Sequence, residues 1–150
     1  MAQGEFDLIE AIKQRLPAGG EGVRVGSGDD AAVVEDRGAA SAITVDAMIE
    51  NVHFTFPAFS PEAVGRKSMA MALSDLAAMG AAPGEVYVTV GAPSETPDER
   101  LLALADGIAE AATRDGLAVA GGDLVSSPVI TTASPGEAPR RVTSGTPSAS

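Results

Sequence analysis

The stretch SPEAVGRKSMAMALSDLAAMGAAPGEVYVTVGA, Ser60 to Ala92, changes its periodicity once. Its first part spaces small and apolar side chains as a helix would. Its last eight residues, EVYVTVGA, are β-branched or aromatic at most positions and read as a strand. Ser60 is suited to cap a helix that begins at Pro61, with Glu62 near the positive end of its dipole, and Gly80 to stop it after about Met79. The residues beyond read as a second helix and further strands. Thr96, Pro97 and Glu99 make a capping-box start for a second helix, which carries Leu101, Leu104, Ile108 and Ala111 on one face and stops at Gly116. Leu117–Ala120 reads as a buried strand followed by a GGD turn, and Pro128–Ala133 as a last strand.

Upstream, residues 5–16 repeat Phe6, Ile9 and Ile12 at helical spacing until Pro17, Gly19 and Gly20 end them. Ala31–Glu35 and Ala42–Met48 read as short strands joined by a turn. This order predicts an α+β or α/β fold, with a sheet layered against helices. From about Ser134 the chain turns to Pro, Ser, Gly, Thr and Arg, with almost nothing to bury. Residues 1–133 are therefore expected to form the domain, and 134–150 a disordered tail or linker.

A formal net charge of −11 argues against a nucleic-acid backbone or an anionic membrane as partner, and suits carboxylates gathered for cations. With no cysteine there is no disulfide, thiolate nucleophile or Cys-based metal site. No apolar run reaches membrane-spanning length, and MAQGEFDLIE lacks the regions of a signal peptide, so a soluble cytoplasmic protein is expected.

Several carboxylates stand where charge looks out of place. GSGDDAAVV, Gly26 to Val34, sets Asp29 and Asp30 between glycines and an apolar run. Asp46 interrupts AITVDAM, Asp75 lies in MAMALSDLAAMG, and Asp123 ends GGD. A charge in an apolar setting costs roughly several kcal/mol unless it is paired or bound to a cation. Mg²⁺ takes carboxylate oxygens and bridges them to phosphates, and aspartates at strand ends would meet on one rim of a sheet. Glycines beside them let phosphate oxygens approach the backbone. Each motif also reads as an ordinary turn or a solvated position, and neither a Walker-type loop nor GxGxxG is present. Spacing leaves both readings open. His53, the one histidine, lies between the acidic rim and two phenylalanines; it reads either as a surface residue or as a ligand contact. Met69, Met71 and Met79 are most simply core packing.

These segments together resemble the thiamine-monophosphate kinase family, within the superfamily of aminoimidazole ribonucleotide synthetase, selenophosphate synthetase and a hydrogenase-maturation factor. GEFDLIEAI looks like the family's N-terminal helix, and GSGDDAAVV resembles its G-x-GDD motif. ITVDAMIENVHF resembles its T-D strand and the HF-like stretch after it. KSMAMALSDLAAMGAAP is similar to K-A-x-x-NLSD-x-AAMGA-x-P, and GLAVAGGDLVSSP to GGDT-x-x-GP. The resemblance covers nearly all of residues 4–133.

It implies the α+β N-terminal-domain fold of that superfamily, mainly a β-sheet with two principal helices packed on one face and an extra N-terminal helix. It also implies ATP-dependent phosphorylation of thiamine monophosphate to thiamine diphosphate, with several Mg²⁺ ions between the two anions and no protein nucleophile. Asp30, Thr44, Asp46, Asp75 and Asp123 would be metal ligands, and Asp29 a nearby helper. Gly122 and Asp123 would contact ATP, and His53 the thiamine phosphate. A homodimer formed through the sheet is implied as well. Three departures stand out. Val45 replaces the family's Thr or Ser before the aspartate, and Ala47 its common Thr. Thr143-Ser144-Gly145 lack the Arg of the family's T-R-S-G, which helps hold ATP, and the family's second domain is expected to be missing. The expectation is thus the N-terminal half of such a kinase, cut short. The alternatives are a non-catalytic dimerisation or nucleotide-binding module, and a sister-branch enzyme with another phosphoryl acceptor.

Overall fold

The computed structural model describes residues 5–17, 23–25, 33–34 and 41–139. It contains, in chain order, α1 (Glu5–Lys13), β1 (Val23–Val25), β2 (Val33–Val34), β3 (Ser41–Ile49), α2 (Pro61–Ala78), β4 (Glu85–Ala92), α3 (Asp98–Asp115), β5 (Ala118–Ser126) and β6 (Thr131–Pro139). β1 and β2 pair antiparallel on their own. The main sheet runs β3-β6-β4-β5, with β6 antiparallel to both neighbours and β4 parallel to β5. That mixed sheet, with α2 and α3 on it, is the expected α+β arrangement.

Local chemistry sets the helix ends. The Ser60 hydroxyl oxygen accepts the Ala63 N–H at 3.2 Å, and Pro61, which lacks an N–H, takes the first helical position of α2. Gly80 follows with φ 66 and Gly116 closes α3 with φ 70, left-handed conformations that glycine adopts without cost. α3 begins one residue later than the capping box predicts. Pro97 is the cap and no side chain bonds the first turn, while Thr96 is buried.

The core lies between the sheet and the helices. Val64, Met69, Leu104, Ile108, Val86, Val88 and Met48 meet there, and Leu8 adds α1 to it. α2 and α3 cross closely because each offers a glycine. A Cβ at Gly65 would collide with the Leu104 carbonyl, and one at Gly107 with the Glu62 carbonyl. Two expected core residues are outside. Phe6 is exposed because the buried face of α1 runs through Leu8 and Ile12, four apart, and Phe6 falls off that line. Met79, past the last turn of α2, is exposed too.

The C-terminal strands run further than expected. GGD does not terminate β5; the strand continues through it to Ser126, with one extra residue absorbed where Val86 pairs with Val119 and Tyr87 with Gly121. β6 continues to Pro139, so residues 134–139 belong to the sheet and not to a tail. Full pairing with β3 supplies the ladder that this Pro- and Gly-containing segment does not promise by propensity. The ladder to β4 is interrupted opposite Pro135, whose nitrogen has no hydrogen to donate.

Candidate metal and phosphate site

β3 alternates strictly. Ala42, Thr44, Asp46 and Met48 turn toward α2, and Ile43, Val45, Ala47 and Ile49 face the other way. Thr44 and Asp46 are half-buried, a strand step apart on one face. The Thr44 Oγ1 donates to Asp75 Oδ2 at 2.8 Å, which joins β3 to the last turns of α2 and fixes the direction of that carboxylate. The sequence-predicted residues Thr44, Asp46 and Asp75 are therefore brought to one place. Their donors are all hard oxygens, the chemistry that Mg²⁺ takes. With its proton given to Asp75, the Thr44 hydroxyl keeps oxygen lone pairs for a cation.

The carboxylates are not buried, contrary to the desolvation argument from their apolar surroundings. Asp75 and Asp123 are exposed and Asp46 is half-buried, because each lies where the apolar layer gives way to the rim. Neither cation of α2 neutralises Asp75. Arg66 pairs with Glu110 of α3 at 2.8 Å, and Lys67 donates to the His53 carbonyl at 3.0 Å.

Asp123 does not join them. It pairs with Thr89, Thr89 with Ala133, and Ala133 with Ala47, one step from Asp46. Adjacent rows point to opposite faces, so Asp123 takes the face away from Asp46, three strand spacings or about 14 Å across the sheet. A single rim for all the aspartates is thus not what the sheet makes. Gly122 sits where a Cβ would strike the Val88 carbonyl, so a close strand pairing alone requires it. Asp29 and Asp30 lie outside the described residues. Among the described residues no three acidic or histidine side chains stand close enough to hold a metal together.

His53 sits in the turn after β3. Asn51 there has φ 66, and the backbone N–H of Asn51 donates to the Phe54 carbonyl at 2.8 Å. Its ring Nδ1 accepts the Ile49 N–H at 3.0 Å. Glu50, not singled out from the sequence, anchors the same turn: its carboxylate accepts the Ile130 N–H at 3.1 Å. Lys67, which reaches His53 from α2, was equally illegible, since nothing local in the sequence links residues fourteen apart.

The family of the AIR synthase related protein, N-terminal domain, matches residues 28–138. The thiamine-monophosphate kinase of Mycobacterium tuberculosis (strain ATCC 25618 / H37Rv) is 40% identical over 125 residues, covering 82% of this chain and 37% of that protein. The crystal structure of the thiamine-monophosphate kinase from Stenotrophomonas maltophilia K279a matches with a TM-score of 0.71 at 30% identity, over 92% of this chain and 43% of that one. AaThiL complexed with AMPPCP and TMP matches with a TM-score of 0.63 at 30% identity, over 91% and 43%. The chain spans less than half the length of the curated relatives it matches. Among the described residues no helix is long and apolar enough to cross a membrane.

Proposed function

We propose, from the premise that this chain belongs to the AIR synthase related N-terminal domain family, that it is the metal- and nucleotide-handling part of a cytoplasmic kinase that phosphorylates thiamine monophosphate with ATP. The observation that carries this reading is the 2.8 Å bond from Thr44 to Asp75 with Asp46 a strand step away, an oxygen-only group in segments that resemble the family's aspartate motifs. The 40% identity to a thiamine-monophosphate kinase and the match to a structure complexed with AMPPCP and TMP support the choice of substrates.

In this reading Asp46, Asp75 and the Thr44 oxygen would hold one Mg²⁺, with Asp30 as a further ligand and Asp29 as a helper. Asp123, on the other face of the sheet, would hold a separate ion. Bound Mg²⁺ would neutralise the charge of two phosphate groups that otherwise repel. The chain's own residues orient the reactants. Thr44 aims Asp75; Gly122 and Asp123 meet the nucleotide; and His53 donates to the phosphate of thiamine monophosphate. An oxygen of that phosphate attacks the γ-phosphorus, the bond to the ADP oxygen breaks, and thiamine diphosphate forms, so no protein nucleophile takes part. Along α2, Asp75 and the Lys67–His53 contact lie eight residues or about 12 Å apart, room for two phosphorylated reactants in line.

A second reading, a dimerisation or nucleotide-binding module without turnover, draws on the open face of β3, where Ile43 is 69% and Val45 67% exposed. In either reading that apolar face is the one a second copy would cover. Incubating the chain with ATP, Mg²⁺ and thiamine monophosphate separates them. Thiamine diphosphate formation supports the kinase, Mg²⁺-dependent AMPPCP binding without product supports the nucleotide-binding module, and no nucleotide binding at all would defeat both of these and leave only dimerisation.

A further inference from the structure

The turn after β3 is tied back to the strand twice by one residue. The His53 backbone N–H donates to the Ile49 carbonyl at 2.9 Å, and the His53 ring accepts the Ile49 N–H on Nδ1 at 3.0 Å. A ring nitrogen that accepts an N–H carries no hydrogen of its own, so the neutral imidazole holds its proton on Nε2. His53 is exposed, and that Nε2–H is a donor on the protein surface.

Lys67, from the second turn of α2, holds this arrangement from the side. Its ammonium donates to the His53 carbonyl at 3.0 Å and stands 4.9 Å from the centre of the Phe59 ring. One side chain thereby grips the segment that carries His53 at two points, six residues apart. Arg100 of α3 sits 4.9 Å over Phe56, whose ring meets the buried Phe54 edge-on at 5.4 Å, so the middle of the segment is pinned as well.

We propose that Lys67 is a positioning residue for anion recognition by His53. It fixes the turn so that the imidazole stays in its Nε2–H tautomer and presents that hydrogen to a phosphate oxygen. Lys67 acts through His53 and the turn, with its ammonium engaged by the His53 carbonyl and the Phe59 ring. The phosphate half of the proposal rests on the reading of His53 as a thiamine monophosphate contact; the tautomer half does not.

The chain has a single histidine, so a nitrogen-15 imidazole correlation spectrum contains one ring. Without ligand, the expected spectrum shows Nδ1 unprotonated and Nε2 protonated. In Lys67→Met the two nitrogens should average between tautomers, and affinity for thiamine monophosphate should fall about fivefold, the loss of one ordinary hydrogen bond. Lys67→Arg, which keeps a cation and a donor, should restore the wild-type ring signature. A wild-type ring that already averages its tautomers would overturn the proposal without recourse to any variant. So would a folded Lys67→Met chain with an unchanged ring spectrum and unchanged affinity. A locked, Lys67-dependent tautomer that saturating thiamine monophosphate fails to perturb would uphold the positioning by Lys67 and overturn the substrate contact.

Discussion

Thr44 and Asp75 meet through one hydrogen bond between a strand and a helix, and a nearly isosteric change isolates it. Thr44→Val should cost about 1 kcal/mol or less of stability in urea unfolding, because the pair is not buried. The same change should weaken Mg²⁺ binding several-fold, and Thr44→Ser should recover most of it. A second residue-scale test lies at the start of α2. The Ser60 side chain bonds the Glu62 carboxylate, and this, followed by the backbone N–H of Glu62, holds that carboxyl below its ordinary range. A lowered folded-state value means stability that is present above the unfolded value and lost as pH falls through the folded one. The gap in urea midpoint between wild type and Glu62→Gln should therefore be open at neutral pH and close on acidification past the lowered value. A gap independent of pH would contradict that assignment. These residues were legible because capping and motif spacing are local. The faces of Asp46 and Asp123 were not. They depend on register, and the extra residue between Val119 and Gly121 has no mark in the sequence.

Among elements, α2 packs on α3 through two glycines with no room beside them. Gly107→Ala should cost about 1–3 kcal/mol by forcing the helices apart, read as a lower unfolding midpoint without loss of helix signal. The alternation of helix and strand from Ser60 to Gly116 followed from periodicity and stop residues, and β4 occupies Glu85–Ala92 as its β-branched run predicts. β5 and β6 were legible only in their opening residues. Their remaining residues include Gly121, Gly122, Pro135 and Pro139, which propensity assigns to turns. Pairing on β4 and β3 overrides it, since a strand next to a formed edge gains its hydrogen bonds from the neighbour.

For the whole molecule, one face of the sheet carries α2 and α3, and β3 presents Ile43 and Val45 on the other. If a second copy covers that face, sedimentation should show a dimer, and Val45→Lys should yield monomers of unchanged fold; a monomeric wild type at high concentration would count against it. The acidic character has a place in the same picture, with Asp46 and Asp75 gathered by β3 and α2 while Lys67 and Arg66 are engaged elsewhere. Whether those carboxylates hold a nucleotide's cation is measured most directly by isothermal titration of AMPPCP into the chain, with and without Mg²⁺, for wild type and Asp75→Asn. Magnesium-dependent binding that weakens about tenfold or more in Asp75→Asn is the predicted result. Equal affinities for the two chains, or binding indifferent to Mg²⁺, would contradict it.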